Sequence, residues 1–443
     1  MKNVYLKLSL VSLLVIISWS CETDFENPNQ ATDEQTYSSR EGIFAASIGM
    51  QQLYSTSVLR WNIETPAITT REAGITTTFQ NMIELEDGGN SLPNFNANIS
   101  GLWSTNLRIM KISEELQTNI PSLDLAPGTQ SGLLAFSKLF KAMAIGNLAQ
   151  NYEQVIVETD QNSNANFVSR AEGYEFAIDQ LTEALSLLNA NPVSDEFTSE
   201  ITAGNIDLSN SIQAMIARYS LFSGDYETAI SAANNVDQSS ISLFRYDAIN
   251  LNPIWSRVYL NNTPNFKPRD NFGLPEEFVF DEQDGRIDFY LIPLDETNQN
   301  GLPIEDLAGF FDENTESIPL YIPDEMNLII AEANLRKDSP DIDAAINALD
   351  RVRTDSDDPL GINANLAPYS GSNEISEILM EIYKNRRAEL FLTGLSLEDS
   401  RRFNRPEPSL SVGNYDEERN RNFYPYPERE RNSNPNTPTD PQI

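Results

Sequence analysis

Apolar residues recur at helical spacing over most of the chain, and the stripes come in pairs. From Ser211 to Val236, Ile212, Met215, Ile216, Tyr219 and Phe222 mark one face, and Tyr226, Ala229, Ile230, Ala233 and Val236 mark a second. Gly224 and Asp225 stand between them, a residue that ends a helix followed by one that caps the next. So tight a joint predicts two antiparallel helices face to face. A second pair is predicted over 133–189: Leu133 to Ala149, then Ala171 to Asn189 after a polar loop. A third, over 323–354, carries Met326, Ile329, Ile330 and Ala333, then Ile342, Ala345, Ile346, Leu349 and Val352. Single helices are predicted from Glu41 to Ser57, Ile99 to Ile120 and Glu374 to about Leu392, where Gly394 closes the last.

Two long stretches lack that period. Residues 60–98 carry Thr, Asn and Gly runs, and 238–322 carry seven prolines and many aromatics. Long irregular insertions in a compact domain are usually functional. The Gly-Asp-Tyr-Glu-x-Ala-Ile string at 224–230 resembles the middle of a tetratricopeptide repeat, although the intervals between pairs are uneven. The predicted class is therefore mostly α: a tetratricopeptide-like scaffold of helical pairs (near 133–189, 209–237 and 323–354), with the insertions at 60–98 and 238–322 forming a second face.

The first residues stand apart. Lys2 and Lys7 precede an apolar run from Leu8 to Ile17, and small Ser18 and Ser20 precede Cys21. This is a secretory leader, too short for a stable membrane span. Cys21 is the only cysteine, so it has no partner within the chain for a disulfide. Its place resembles the acylation site of bacterial lipoproteins, and several acyl chains hold a protein stably on a membrane. The predicted organisation is a leader at 1–20, a lipidated polar tether at 21–39 and one α-helical domain at 40–443. Loss of the leader removes two lysines and no acid, taking the formal charge from −36 to −38. Such a field repels phosphate backbones, so nucleic acid is not an expected partner.

Histidine is absent altogether. That excludes Ser-His-Asp and Cys-His catalysis and histidine metal sites. Asp160-x-Asn162-x-Asn164 echoes the start of a calcium loop, but Ala165 and Ala171 stand where a glycine and a bidentate acid belong, so it reads as a solvated loop. No cofactor and no metal are expected. Sixty-six acids make some close carboxylate pair inevitable, and no motif singles one out, so a glycosidase is the weaker reading.

Three C-terminal strings carry a family resemblance. The first is Asp324-Glu325-Met326-Asn327-Leu328-Ile329-Ile330-Ala331-Glu332-Ala333, with Ala348-Leu349-Asp350-Arg351-Val352-Arg353 after it. The second is Asn385-Arg386-Arg387-Ala388-Glu389-Leu390-Phe391-Leu392-Thr393-Gly394, with Asp399-Ser400-Arg401-Arg402-Phe403. The third is Phe423-Tyr424-Pro425-Tyr426-Pro427, with Asn434-Pro435-Asn436. In this order after a lipoprotein leader they resemble the SusD/RagB family of outer-membrane nutrient-binding lipoproteins of Bacteroidota. After Gly394 this chain has Leu395-Ser396-Leu397-Glu398 where the family usually has an aromatic run. The resemblance implies a surface-exposed, lipid-anchored outer-membrane protein without enzymatic activity. It would capture oligosaccharide for a SusC-like TonB-dependent transporter; peptide is the alternative cargo, as in RagB-like relatives. In the family, ligand sits on the irregular face. Aromatic rings that can stack on pyranoses and polar groups that can bond hydroxyls make Trp61, Arg71, Phe79, Phe95 and Asn96 the ligand-binding candidates from the first insertion, and Trp255, Tyr259 and Phe289 those from the second. The arginines of the second string read instead as ties between loops and helices.

Overall fold

The hairpin at the centre of the chain forms as its pattern dictates. In this computed structural model, which describes residues 36–443, helices occupy Leu208–Ser223 and Tyr226–Asn234. Gly224 takes φ +89° at the joint, and the Asp225 carboxylate accepts the Thr228 N–H. The leader and Cys21 lie outside the described residues.

In chain order the principal helices are α1 Arg40–Leu53, α2 Leu59–Thr69, α3 Gln80–Asp87, α4 Ala97–Asn119, α5 Pro127–Asn151, α6 Arg170–Ala190, α7 Leu208–Ser223 and α8 Tyr226–Asn234. There follow α9 Trp255–Val258, α10 Gly285–Tyr290, α11 Pro323–Arg336, α12 Ile342–Arg353, α13 Ile375–Glu389, α14 Ser396–Arg402 and α15 Glu428–Ser433. The three predicted pairs are α5 with α6, α7 with α8 and α11 with α12, and each packs face to face. Neighbouring pairs pack in turn through α6 on α7 and α8 on α11. Gly146 of α5 admits the Tyr219 ring of α7: a Cβ there would stand 2.2 Å from its Cζ.

The stretch expected to be irregular from residue 60 is largely ordered. α1 runs through a π-helical turn at Tyr54–Val58 directly into α2. Every residue from Asn62 to Thr69 is buried, Glu64 included, so α2 shows no one-sided stripe, and Pro66 inside it reads as a break. Pro66 has no N–H for the Asn62 carbonyl, and Gly394 closes over that carbonyl with φ +86°; a Cβ at 394 would lie 2.2 Å from it. Among the described residues, four two-stranded antiparallel sheets also escaped the sequence pattern because their strands are short. β1 (Ala73–Ile75) pairs with β5 (Phe266–Pro268) and ties the two insertions together. β2 (Gln154–Ile156) pairs with β3 (Phe167–Ser169), and β4 (Leu243–Phe244) with β8 (Ile318–Pro319). β6 (Leu291–Thr297) pairs with β7 (Pro303–Leu307).

Arginines bonded to buried groups join the elements. Arg218 of α7 donates from Nε and Nη2 to both oxygens of Glu325 on α11, at 2.7 and 2.5 Å. Arg386 of α13 forks onto Asp399 of α14 at 2.8 and 3.0 Å. Arg402 reaches both Asp399 and Glu332 of α11. Arg387 donates to the hydroxyl and carbonyl of Thr70 and lies 3.5 Å from Glu72. The Tyr-Pro-Tyr-Pro segment is extended, with Tyr424 bonded to Thr69 and Tyr426 accepting the Gln154 N–H.

Removing one partner of a buried pair strands the other charge. Arg218→Ala is expected to lower unfolding free energy by about 3–5 kcal/mol, read from urea denaturation. Arg218→Met with Glu325→Leu is expected to recover most of that loss.

Candidate functional site

α4 begins at a cap built by Asn96, whose Oδ1 accepts the Asn98 N–H. Its Nδ2 donates to Asn81 O and Glu84 Oε2, both at 2.9 Å, and the residue is buried. Asn96 is therefore a helix cap rather than a ligand contact. Arg71 is corrected in the same way. Its guanidinium is buried and donates to the carbonyls of Glu86, Asn414 and Glu417, clamping the C-terminal loop onto α3. Phe79 and Phe95 are 58% and 65% exposed, on segments that the Asn96–Asn81 bond holds together. Trp61 of α2 lies half-buried over Gly101 of α4, with the Arg60 guanidinium 4.0 Å from its ring centroid.

The second set sits elsewhere. The Tyr259 hydroxyl donates to Leu307 O, and burial pushes the phenol up to about 12. Phe289 packs edge-on against Tyr290 and Phe310, with centroids at 4.7 and 5.3 Å. Trp255 opens α9, held by the Asn252 side chain, which accepts the Trp255 N–H and donates to Phe310 O. Trp61, Phe79 and Phe95 thus gather near the start of α4, and Trp255, Tyr259 and Phe289 near the end of β7.

A groove of about 750 Å³ opens beside the first group, a volume within the range of ligand sites. Its walls are the outward face of α4, the loop from Ile156 to Ala165 and the segment from Pro427 to Asn434. None of the eight ligand candidates lines it, but its floor includes Gly101, beneath Trp61, and Ala97, two residues after Phe95. Trp103, Leu107 and Ile156 supply apolar surface; Ser100, Ser104, Gln161 and Ser433 supply polar groups. Trp103 is itself core, stacked on Phe167 at 5.8 Å, with its Nε1 donating to Glu430.

The charged groups of this groove divide sharply. Asp160 accepts the N–H groups of Asn162 and Asn164, and Glu430 accepts from Trp103 and Asn434. Their oxygens are engaged within the protein. Lys111 pairs with Glu115. Arg108 and Arg429 are exposed, and among the described residues they are the two arginines whose side chains have no hydrogen-bond or ion-pair partner. The sequence signal for this site was faint, because its three walls come from segments up to 337 residues apart.

One carboxylate cluster can hold a cation. Asp324 opens α11, and Asp355 and Asp358 lie in the turn after α12, with one oxygen from each within 4.8 Å of the others, beside a hollow of about 550 Å³. Asp324 Oδ2 and Asp358 Oδ2 are buried without a donor. Burial, with the charges of Asp355 and Asp358 opposing ionisation, pushes Asp324 up to about 6, against the Asn327 hydrogen bond. All-oxygen carboxylate ligation suits a hard divalent ion.

No family model matches the chain, and no curated protein matches it. Solved structures do. A SusD superfamily protein from Bacteroides thetaiotaomicron is 19% identical, with a TM-score of 0.66 over 91% of this chain and 99% of that one. A SusD-like carbohydrate binding protein from Bacteroides fragilis is 13% identical (TM-score 0.65; 90% and 99% covered). A structure described as containing a xylogluco-oligosaccharide is 14% identical, with the same TM-score and coverage. The chain has the SusD-like helical fold.

The raised Asp324 gives a signed prediction. Its folded pKa lies above that of the unfolded carboxyl, about 3.9, so its ionisation costs stability as pH rises from 4 through 6. In chelator-containing buffer, Asp324→Asn is expected to raise unfolding free energy by roughly 3 kcal/mol at pH 7.5 and by nothing below pH 4. Urea titrations at the two pH values check it.

Proposed function

We propose that this protein captures oligosaccharide at the cell surface, holds it in the groove between α4, the 156–165 loop and α15, and passes it to a SusC-like TonB-dependent transporter in the outer membrane. The observation that carries the reading is the groove itself. Apolar walls can meet the apolar faces of sugar rings, and the side chains of Ser100, Ser104, Gln161, Arg108 and Arg429 can meet their hydroxyls. The SusD-like fold supports it, since neighbours with that fold are described as carbohydrate binding. The leader and Cys21 support a lipid anchor at the outer membrane. The exposed rings of Phe79 and Phe95 stand on segments adjoining the start of α4, which lines the groove.

In this reading the protein binds and does not cut. The groove's two carboxylates already serve as acceptors for protein donors, and no histidine stands beside its serines. A basic peptide suits the −36 chain as a whole, but not a groove whose unpaired charges are cationic.

Isothermal titration against a panel of oligosaccharides and peptides tests the proposal. Binding of at least one oligosaccharide is expected, with no product released. Ser104→Trp, which fills the groove from an exposed helical position, is expected to weaken binding at least tenfold with an unchanged melting temperature. Full affinity in that variant would place the ligand elsewhere. Cys21→Ser is expected to move the protein from the membrane fraction to the soluble fraction of its cells.

A further inference from the structure

The distribution of unpaired charge says more about the ligand. We infer that the groove selects oligosaccharides bearing carboxylate or sulfate groups, held by Arg108 of α4 and Arg429 of α15. The inference rests on the reading of the groove as the sugar site.

The chain carries 66 acids against 30 bases, so partners for arginine abound. Elsewhere in the described residues they are used. Arg170, Arg218, Arg257, Arg286, Arg386 and Arg402 all pair with buried carboxylates. Even the buried Arg71, which has no ion pair, has three carbonyls. Arg108 and Arg429 have neither, and the fold brings them to one groove from positions 321 residues apart in sequence. Lys111 lies one turn beyond Arg108. The lining therefore carries three cations against two acids, reversing the sign of the surrounding protein. At physiological ionic strength, charges beyond about 8 Å are largely screened, so a ligand inside the groove responds to this lining more than to the −36 total.

The geometry of the donors fits such a ligand. Each guanidinium offers five N–H groups in a planar fork, which matches the paired oxygens of a carboxylate or sulfate. The acids that share the groove offer little competition: both oxygens of Asp160 and both of Glu430 already accept protein donors. A neutral sugar needs acceptors as well as donors, and the groove's carboxylates are already occupied. An anionic sugar matches what is left free.

The test compares three tetrasaccharides of equal length by isothermal titration with the full mature chain: a uronide, a sulfated glycan and a neutral glycan. The expected result is at least tenfold tighter binding of the uronide, the sulfated sugar or both than of the neutral one. That advantage should shrink between 20 mM and 300 mM NaCl. Arg108→Gln with Arg429→Gln should remove the advantage and flatten its salt dependence, with the melting temperature unchanged because both side chains are exposed. Whichever anion binds more tightly names the substituent. Equal affinity for charged and neutral sugars, or an advantage that survives in the double variant, overturns this inference and leaves oligosaccharide binding standing. Failure of all three sugars, together with the whole oligosaccharide panel, sinks the parent proposal as well.

Discussion

The fold depends on buried arginine–carboxylate clamps between elements distant in sequence. Glu332 on α11 receives Arg336 and Arg402; Asp399 on α14 receives Arg386 and Arg402; Glu398 receives Arg170 from α6 and Arg401. Burial pushes each of these carboxyls up, and the guanidiniums more than reverse it, holding all three below the ordinary carboxylate range. Such clamps suit a chain without histidine. Arginine stays charged throughout the accessible pH range, so this network has no titrating hinge near neutrality. The exception is behind α10, where Arg286 serves both Asp284 and Glu389. There burial, reinforced by the charge of Asp324, raises Glu389 well above the usual value.

These clamps explain why the helical pairs stay in register although their spacing in the chain is uneven. A regular solenoid stacks identical faces. Here α7 meets α11 through Arg218 and Glu325, α6 meets α14 through Arg170 and Glu398, and α13 meets α14 through Arg386 and Asp399. The bidentate geometry fixes orientation as well as contact. Leu395 and Leu397 are buried beside these pairs.

What the sequence revealed follows from burial geometry. The central hairpin was legible because its apolar residues keep helical spacing on both sides of the Gly224-Asp225 joint, and α8 exposes its outer face. α2 was not, because it is buried all round and contains Pro66. The same limit separates Phe79 and Phe95, exposed as a ligand platform requires, from Arg71 and Asn96, whose polarity serves backbone groups inside the protein. A polar side chain in a loop does not announce which way its donors point. The groove was illegible for a different reason: Arg108 and Arg429 acquire meaning only when α15 is laid beside α4, and no local pattern encodes that juxtaposition.

The docking of the last segment onto the first has a further consequence. Tyr424 bonds Thr69, the Asn420 N–H bonds the Thr69 carbonyl, and the Glu428 N–H bonds the carbonyl of Asn94. One wall of the groove is also made from residues 427–434. A nascent chain has none of these contacts until residues 420–434 emerge, so the groove stays open along one flank until that segment docks.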